Sequence, residues 1–135
     1  MTFGRGASGE ERVAMRRGED WVAVQLGGGV TAPMRARLAA VDALGRLVAT
    51  SAHLRAAVAD VVSDLVTVAV RRGGAANRDH TIEVRLERRD GALRVTVRDD
   101  AVAPFALDGA PLHATAAHGC LTGAEPHGAW AELRL

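Results

Sequence analysis

Four polar residues recur at helical spacing within the longest apolar stretch of the chain. Asp60, Asp64, Thr67 and Arg71 follow one another at intervals of four, three and four residues, so a helix would present them as one stripe. Such a stripe could line a ligand site. The alternative is an amphipathic helix with a solvated polar face, and the helix alone favours that alternative.

A second group of residues with chemical potential lies near the carboxyl end. His118, Cys120 and His127 could ligate a metal ion, but a structural zinc site needs four ligands, so they indicate such a site only weakly. Cys120 has no partner motif for catalysis, and a small buried residue is the simpler interpretation. All 17 basic residues are arginine, which excludes a P-loop lysine or any other catalytic lysine.

Composition limits the class of protein. A chain of 135 residues with 48% apolar residues is expected to form one domain with a core. A net charge of +1 does not favour nucleic-acid binding, and no apolar run is long enough for a membrane span. The amino-terminal residues lack the apolar stretch of a signal peptide, and a single cysteine allows no internal disulfide. We therefore predict a cytoplasmic protein without a nucleic-acid or membrane partner.

The first half of the chain divides into an arm, a strand and a helix. Residues 1–18 show no periodicity and predict a flexible arm, which leaves residues 19–135 as the domain. Residues 20–26 alternate as a strand does, and Thr31 and Pro33 are typical of a helix start. The apolar positions predicted to form the buried face of this helix are Met34, Leu38, Val41, Leu44, Leu47 and Val48.

The second half predicts a helix, a hairpin and a final strand. Ser51 can cap a second helix that ends at Gly73 and Gly74. Asp90-Gly91 separates two alternating segments and is a strong hairpin signal. A short helix over 112–118 and a strand over 129–135 follow. The second helix would bury Leu54, Val58, Val61, Val62, Leu65 and Ala69. Strands and helices are segregated, so the predicted class is α+β, a two-layer sandwich with helices on one face of a mainly antiparallel sheet.

Three segments together resemble a known family. SDLVTVAVRRGG, at 63–74, is similar to the ELVTNAVRHG motif of the anti-sigma-factor serine kinases, which are GHKL or Bergerat-fold ATPases. LRVTVRDD, at 93–100, resembles the next motif, a strand that ends in aspartate. The segment 109–133 resembles the last stretch, in which a Gly-x-Gly-Leu turn precedes a helix, a loop and a strand.

The resemblance implies a Bergerat-type sandwich and a role for each matching position. Asp64 stands where the family has its general base, and Asp99 stands where an aspartate binds the adenine amino group. Gly109 and Leu112 fall in the turn that wraps the phosphates. Family members bind ATP with magnesium, hold sigma factors and phosphorylate an anti-anti-sigma partner on serine.

The departures from the family pattern fall on this chemistry. Val68 replaces the asparagine that coordinates magnesium, and valine offers no oxygen. Pro111 replaces a glycine of the phosphate turn and has no backbone N–H for an anion. Ala101 and Ala103 replace glycines that bring the backbone close to the nucleotide. Asp64 is one methylene shorter than the usual glutamate, which reduces its reach as a base.

These departures predict a degenerate member with weakened ATP binding and doubtful magnesium binding. Such a protein would act by binding a sigma factor or an anti-anti-sigma factor. Asp99 then need only be the common aspartate that ends a strand before a turn. Two alternatives remain open: an active ATP- and magnesium-dependent serine kinase, and a non-catalytic scaffold that forms homodimers.

Overall fold

A computed structural model describes residues 13–74, 76–101, 105–107 and 112–135. Within these residues lie six strands, β1 to β6, and three helices, α1 to α3. The strands are Val13–Arg17, Trp21–Gly27, Thr81–Arg89, Ala92–Asp99, Leu121–Glu125 and Gly128–Arg134. The helices are Ala32–Leu44, Ala52–Gly73 and His113–Ala117.

The strands form one sheet in the order β1-β2-β3-β4-β6-β5, and every neighbouring pair is antiparallel. The predicted hairpin between β3 and β4 is confirmed. Its turn residues have positive φ, 27° at Asp90 and 78° at Gly91, which suits a two-residue connection. Alternation along the central strands gives the sheet one apolar face, formed by Val22, Val24, Leu26, Ile82, Val84, Leu86, Leu93, Val95, Val97, Ala129, Ala131 and Leu133.

Helices α1 and α2 cover this apolar face and share one core with it. The predicted α+β class with an antiparallel sheet is therefore confirmed. Ser51 caps α2 as expected, because its hydroxyl accepts a hydrogen bond from Leu54 N at 3.1 Å. The helix ends at Gly73, and Gly74 follows with φ 90°. None of the helices in the described part of the chain is both long and apolar enough to cross a membrane.

The buried face of α1 differs from the prediction. Met34 and Leu38 are 58% and 69% exposed, although their spacing marked them as core. Leu44 and Leu47 are buried as predicted, but the rest of the inward face is formed by Ala32, Ala36, Ala40 and Ala43. The two rows have the same spacing, and the alanine row faces inward because small side chains allow α1 to approach α2 closely. Val30, Met34 and Leu38 therefore form an exposed apolar row.

Two edge strands were not predicted. Residues 13–17, assigned to the flexible arm, form β1, which pairs with β2 from Val13 opposite Leu26 to Arg17 opposite Val22. The arm therefore cannot extend to residue 18, and residues 1–12 lie outside the described part of the chain. Strand β5 is largely exposed and carries little apolar alternation. Both strands have weak sequence signals because they bury few side chains against the core.

The same substitution at two leucines of α1 tests which side of the helix faces the core. Leu44→Ala should lower the free energy of unfolding by about 2–5 kcal/mol, because Leu44 is fully buried and its truncation leaves a cavity. Leu38→Ala should change it by less than about 0.5 kcal/mol, because the side chain is exposed. Urea denaturation measures both. A loss for Leu38→Ala as large as that for Leu44→Ala would contradict the exposure of Leu38.

Candidate functional site

Asp64 holds helix α3 against α2. Its Oδ2 accepts hydrogen bonds from the backbone N of Thr115 at 2.7 Å and from the Thr115 hydroxyl at 2.8 Å. Thr115 is buried, so this contact lies inside the structure. The oxygen that would take a proton in catalysis is thus engaged by two donors of the chain itself.

Asp60 makes a parallel contact one turn away. His118 Nε2 lies 3.0 Å from Asp60 Oδ2, and Arg37 Nη1 lies 3.6 Å from the other carboxylate oxygen. The contacts of Asp64 and Asp60 therefore join α2 to α3 and to His118, the residue directly after α3. The half of the polar stripe nearer the start of α2 is therefore a helix contact rather than a solvated face.

The other half of the stripe has a different environment. The Thr67 hydroxyl donates to the Ser63 carbonyl at 2.7 Å, and Arg71 is exposed. Val68 is half-buried and packs against the core, as does Leu112. Val68 thus supplies an apolar contact at the position where the resemblance implies a magnesium ligand. Gly109, Pro111 and Ala103 lie outside the described residues.

Asp99 lies in a buried polar cluster at the end of β4. Its side chain is 0% exposed, and Arg72 Nε donates to Oδ2 at 2.6 Å. His80 Nε2 lies 3.3 Å from the same oxygen, and the backbone N of Ala101 donates to Oδ1 at 3.2 Å. The carboxylate is therefore enclosed by groups from the end of α2, the start of β3 and the loop after β4.

His80 is the residue of this cluster that sequence reasoning missed. Its Nε2 also lies 3.1 Å from the Ala69 carbonyl, and its Nδ1 lies 2.9 Å from Asp100 Oδ1. The ring fits because α2 ends in glycine, since a Cβ on Gly73 would lie 2.2 Å from the imidazole Cδ2. Gly73 thus has a packing role besides ending the helix. The sequence signal for the His80 position was the short connection between α2 and β3.

Phe105 closes the cluster from the loop side. The Arg72 guanidinium carbon lies 4.6 Å from the centre of the Phe105 ring, an attractive cation–π geometry. Phe105 is buried, and its backbone N donates to the Pro126 carbonyl at 3.0 Å. The Arg72 guanidinium thus neutralises Asp99 beneath an aromatic ring.

The residues considered as metal ligands are dispersed. His118 is paired with Asp60, and the His127 carbonyl accepts a hydrogen bond from Asp99 N at 3.0 Å. Burial raises the pKa of the Cys120 thiol, which lowers the fraction of reactive thiolate. Among the described residues, no three His, Cys, Asp or Glu side chains are grouped to hold a metal ion.

Comparison with known proteins gives no identification. No protein-family model matches the chain, and no curated protein matches it significantly.

The enclosure of Asp99 predicts a large stability cost for its removal. Asp99→Ala should lower the free energy of unfolding by about 3–5 kcal/mol, because Arg72 would lose its buried counter-charge. Asp42→Ala is the matched control, since Asp42 pairs with Arg46 at 3.4 Å on the surface. The control should cost less than about 1 kcal/mol in the same urea titration. Similar costs would contradict a buried, enclosed Asp99.

The contact between Asp64 and α3 predicts a smaller effect. Thr115→Val keeps the shape of the side chain but removes the hydroxyl donor to Asp64, and should cost about 1.5–3 kcal/mol of unfolding free energy. Thr122→Val on exposed strand β5 is the control and should be nearly neutral. Equal values for the two variants would mean that the hydroxyl contact contributes nothing.

Proposed function

We propose that this chain is a degenerate relative of the anti-sigma-factor serine kinases and regulates transcription by binding proteins rather than by transferring phosphate. The motifs at 63–74, 93–100 and 109–133 support the ancestry. The α+β sheet with helices on one face is compatible with a Bergerat-type sandwich. The proposal depends most on one observation, the complete enclosure of the Asp99 carboxylate.

Asp99 does not fit the adenine contact that the resemblance implies. A fully enclosed carboxylate cannot accept a hydrogen bond from an adenine amino group unless Arg72 or His80 moves away. Such a movement would leave Arg72 without its buried counter-charge, which is costly. The chain's own arginine thus supplies the hydrogen bond that a nucleotide would make.

Val68 and Asp64, the other two positions with an implied catalytic role, also support a protein without kinase activity. Val68 packs on the core and has no oxygen for magnesium, which requires hard oxygen ligands. Asp64 already accepts two hydrogen bonds from Thr115, so its use as a base would compete with the anchoring of α3. We derive no phosphoryl-transfer step from these residues.

The scaffold alternative has one specific observation in its favour. The exposed apolar row comprises Met34 and Leu38 on α1, four residues apart, and Val30 in the turn before the helix. Large exposed apolar side chains in a contiguous row are typical of protein contact surfaces. The row supports binding to another protein and equally suits self-association through α1. An oligomer that is lost on Leu38→Glu would favour the homodimer.

ATP binding separates the proposal from an active kinase. With millimolar ATP and magnesium, the melting temperature of the protein should not change, whereas saturation at a hundredfold excess over Kd would add about 3 kcal/mol of stability. A candidate anti-anti-sigma partner should receive no labelled phosphate. Magnesium alone is the control for cation effects. Stabilisation by ATP that disappears in Asp99→Asn would establish a nucleotide site and overturn the proposal.

A further inference from the structure

The sheet face that points away from α1 and α2 carries an ordered row of side chains. The strand register places one residue of each strand in this lateral row. In sheet order the row comprises Arg16, Ala23, Arg85, Thr96, Trp130 and Gly123. Ala23 and Thr96 are small, so the guanidinium of Arg85 lies near the centre of this outer face between short neighbours.

Two tryptophans lie flat on this face. A Cβ on Gly18 would lie 2.1 Å from the indole Nε1 of Trp21, and one on Gly123 would lie 2.5 Å from Trp130. Each indole therefore rests on a glycine. Arginine covers each ring from the other side, with Arg85 4.1 Å from the Trp21 ring and Arg94 4.0 Å from the Trp130 ring. The result is a flat, preorganised surface of aromatic and guanidinium groups, the side chains most enriched in binding hot spots.

Four arginines of the outer face have a glutamate partner. Arg16, Arg94 and Arg98 contact glutamates at 2.8, 2.7 and 3.3 Å, respectively. These glutamates are Glu83, Glu132 and Glu125. The remaining glutamate of the face, Glu87, pairs with Arg89 at 2.9 Å.

Arg85 has no such partner among the described residues. Its guanidinium is stacked on Trp21, and its Nε is buried without a hydrogen-bond acceptor in the described part of the chain, although buried polar groups are normally paired. Arg85 as a whole is only half-buried, so a carboxylate from outside the chain would reach the guanidinium at its Nη groups rather than at Nε.

We propose that the outer sheet face binds a protein segment that presents a single aspartate or glutamate carboxylate to Arg85. A planar guanidinium matches a carboxylate through two parallel hydrogen bonds. The single guanidinium of Arg85 fits one carboxylate. The neighbouring glutamates would repel a doubly charged phosphate or a nucleic-acid backbone, so a protein carboxylate is the favoured ligand. Apolar atoms beside that carboxylate would pack on Trp130. This inference goes beyond the proposed regulatory role and does not depend on whether ATP binds.

A peptide titration followed by NMR tests the proposal. The probe is the blocked peptide acetyl-Gly-Leu-Glu-Leu-Gly-amide, which carries one carboxylate, and the same peptide with Gln in place of Glu is the uncharged control. With the Glu peptide, the Arg85 Nε–H and the two indole N–H signals should shift saturably. With the Gln peptide, affinity should fall by about tenfold or more, because the charge-assisted hydrogen bonds are lost.

Variants make the assignment specific. Arg85→Gln should lose peptide binding, and Arg85→Lys, which keeps the charge but not the planar fork, should fall between it and the wild type. Arg46→Gln removes the same charge from the turn after α1 and should bind like the wild type. The amide spectrum shows whether each variant is folded. Equal binding of both peptides, undiminished binding by Arg85→Gln, or no shift with the Glu peptide at millimolar concentration would each overturn the proposal.

Discussion

The buried pair of Arg72 and Asp99 joins the end of α2 to the sheet. Arg72 belongs to the last turn of α2, and Asp99 ends β4, 27 residues later in the chain. His80, just before β3, completes the pair and reaches Asp100 on its other side. Removing one partner of a buried ion pair is expensive, whereas the intact pair adds little net stability. The pair therefore acts mainly as a constraint that fixes where α2 ends relative to the sheet.

The same constraint is the physical basis of the proposed loss of nucleotide binding. A site that binds adenine through a carboxylate needs that carboxylate to face an open pocket. Here Arg72 occupies it and Phe105 covers Arg72. In the middle of α2, Asp64 is committed to Thr115. The polar positions of the proposed ancestral site thus serve as internal contacts, and the surfaces left for binding are the apolar row on α1 and the outer face of the sheet.

Much of the fold could be predicted because its signals are local. The Ser51 cap, the Gly73 and Gly74 terminus and the Asp90-Gly91 hairpin depend on a few adjacent residues. The face of α1 could not be predicted, because two rows of equal spacing compete and only the packing against α2 decides between them. Edge strands β1 and β5 bury too little to leave a clear alternation. Asp64 and Asp99 could be singled out by motif, but their partners lie 51 and 27 residues away, where no local pattern points.

The NMR signal of the Arg72 Nε–H tests the closure of the site most directly. A guanidinium N–H bonded to a buried carboxylate should be resolved and exchange slowly with water. The account predicts that this signal persists unshifted in millimolar ATP and magnesium, together with the backbone amide of Asp99. A saturable shift of both signals, or rapid exchange of the Arg72 proton when ATP is added, would contradict it, because either result would mean that a nucleotide displaces the arginine.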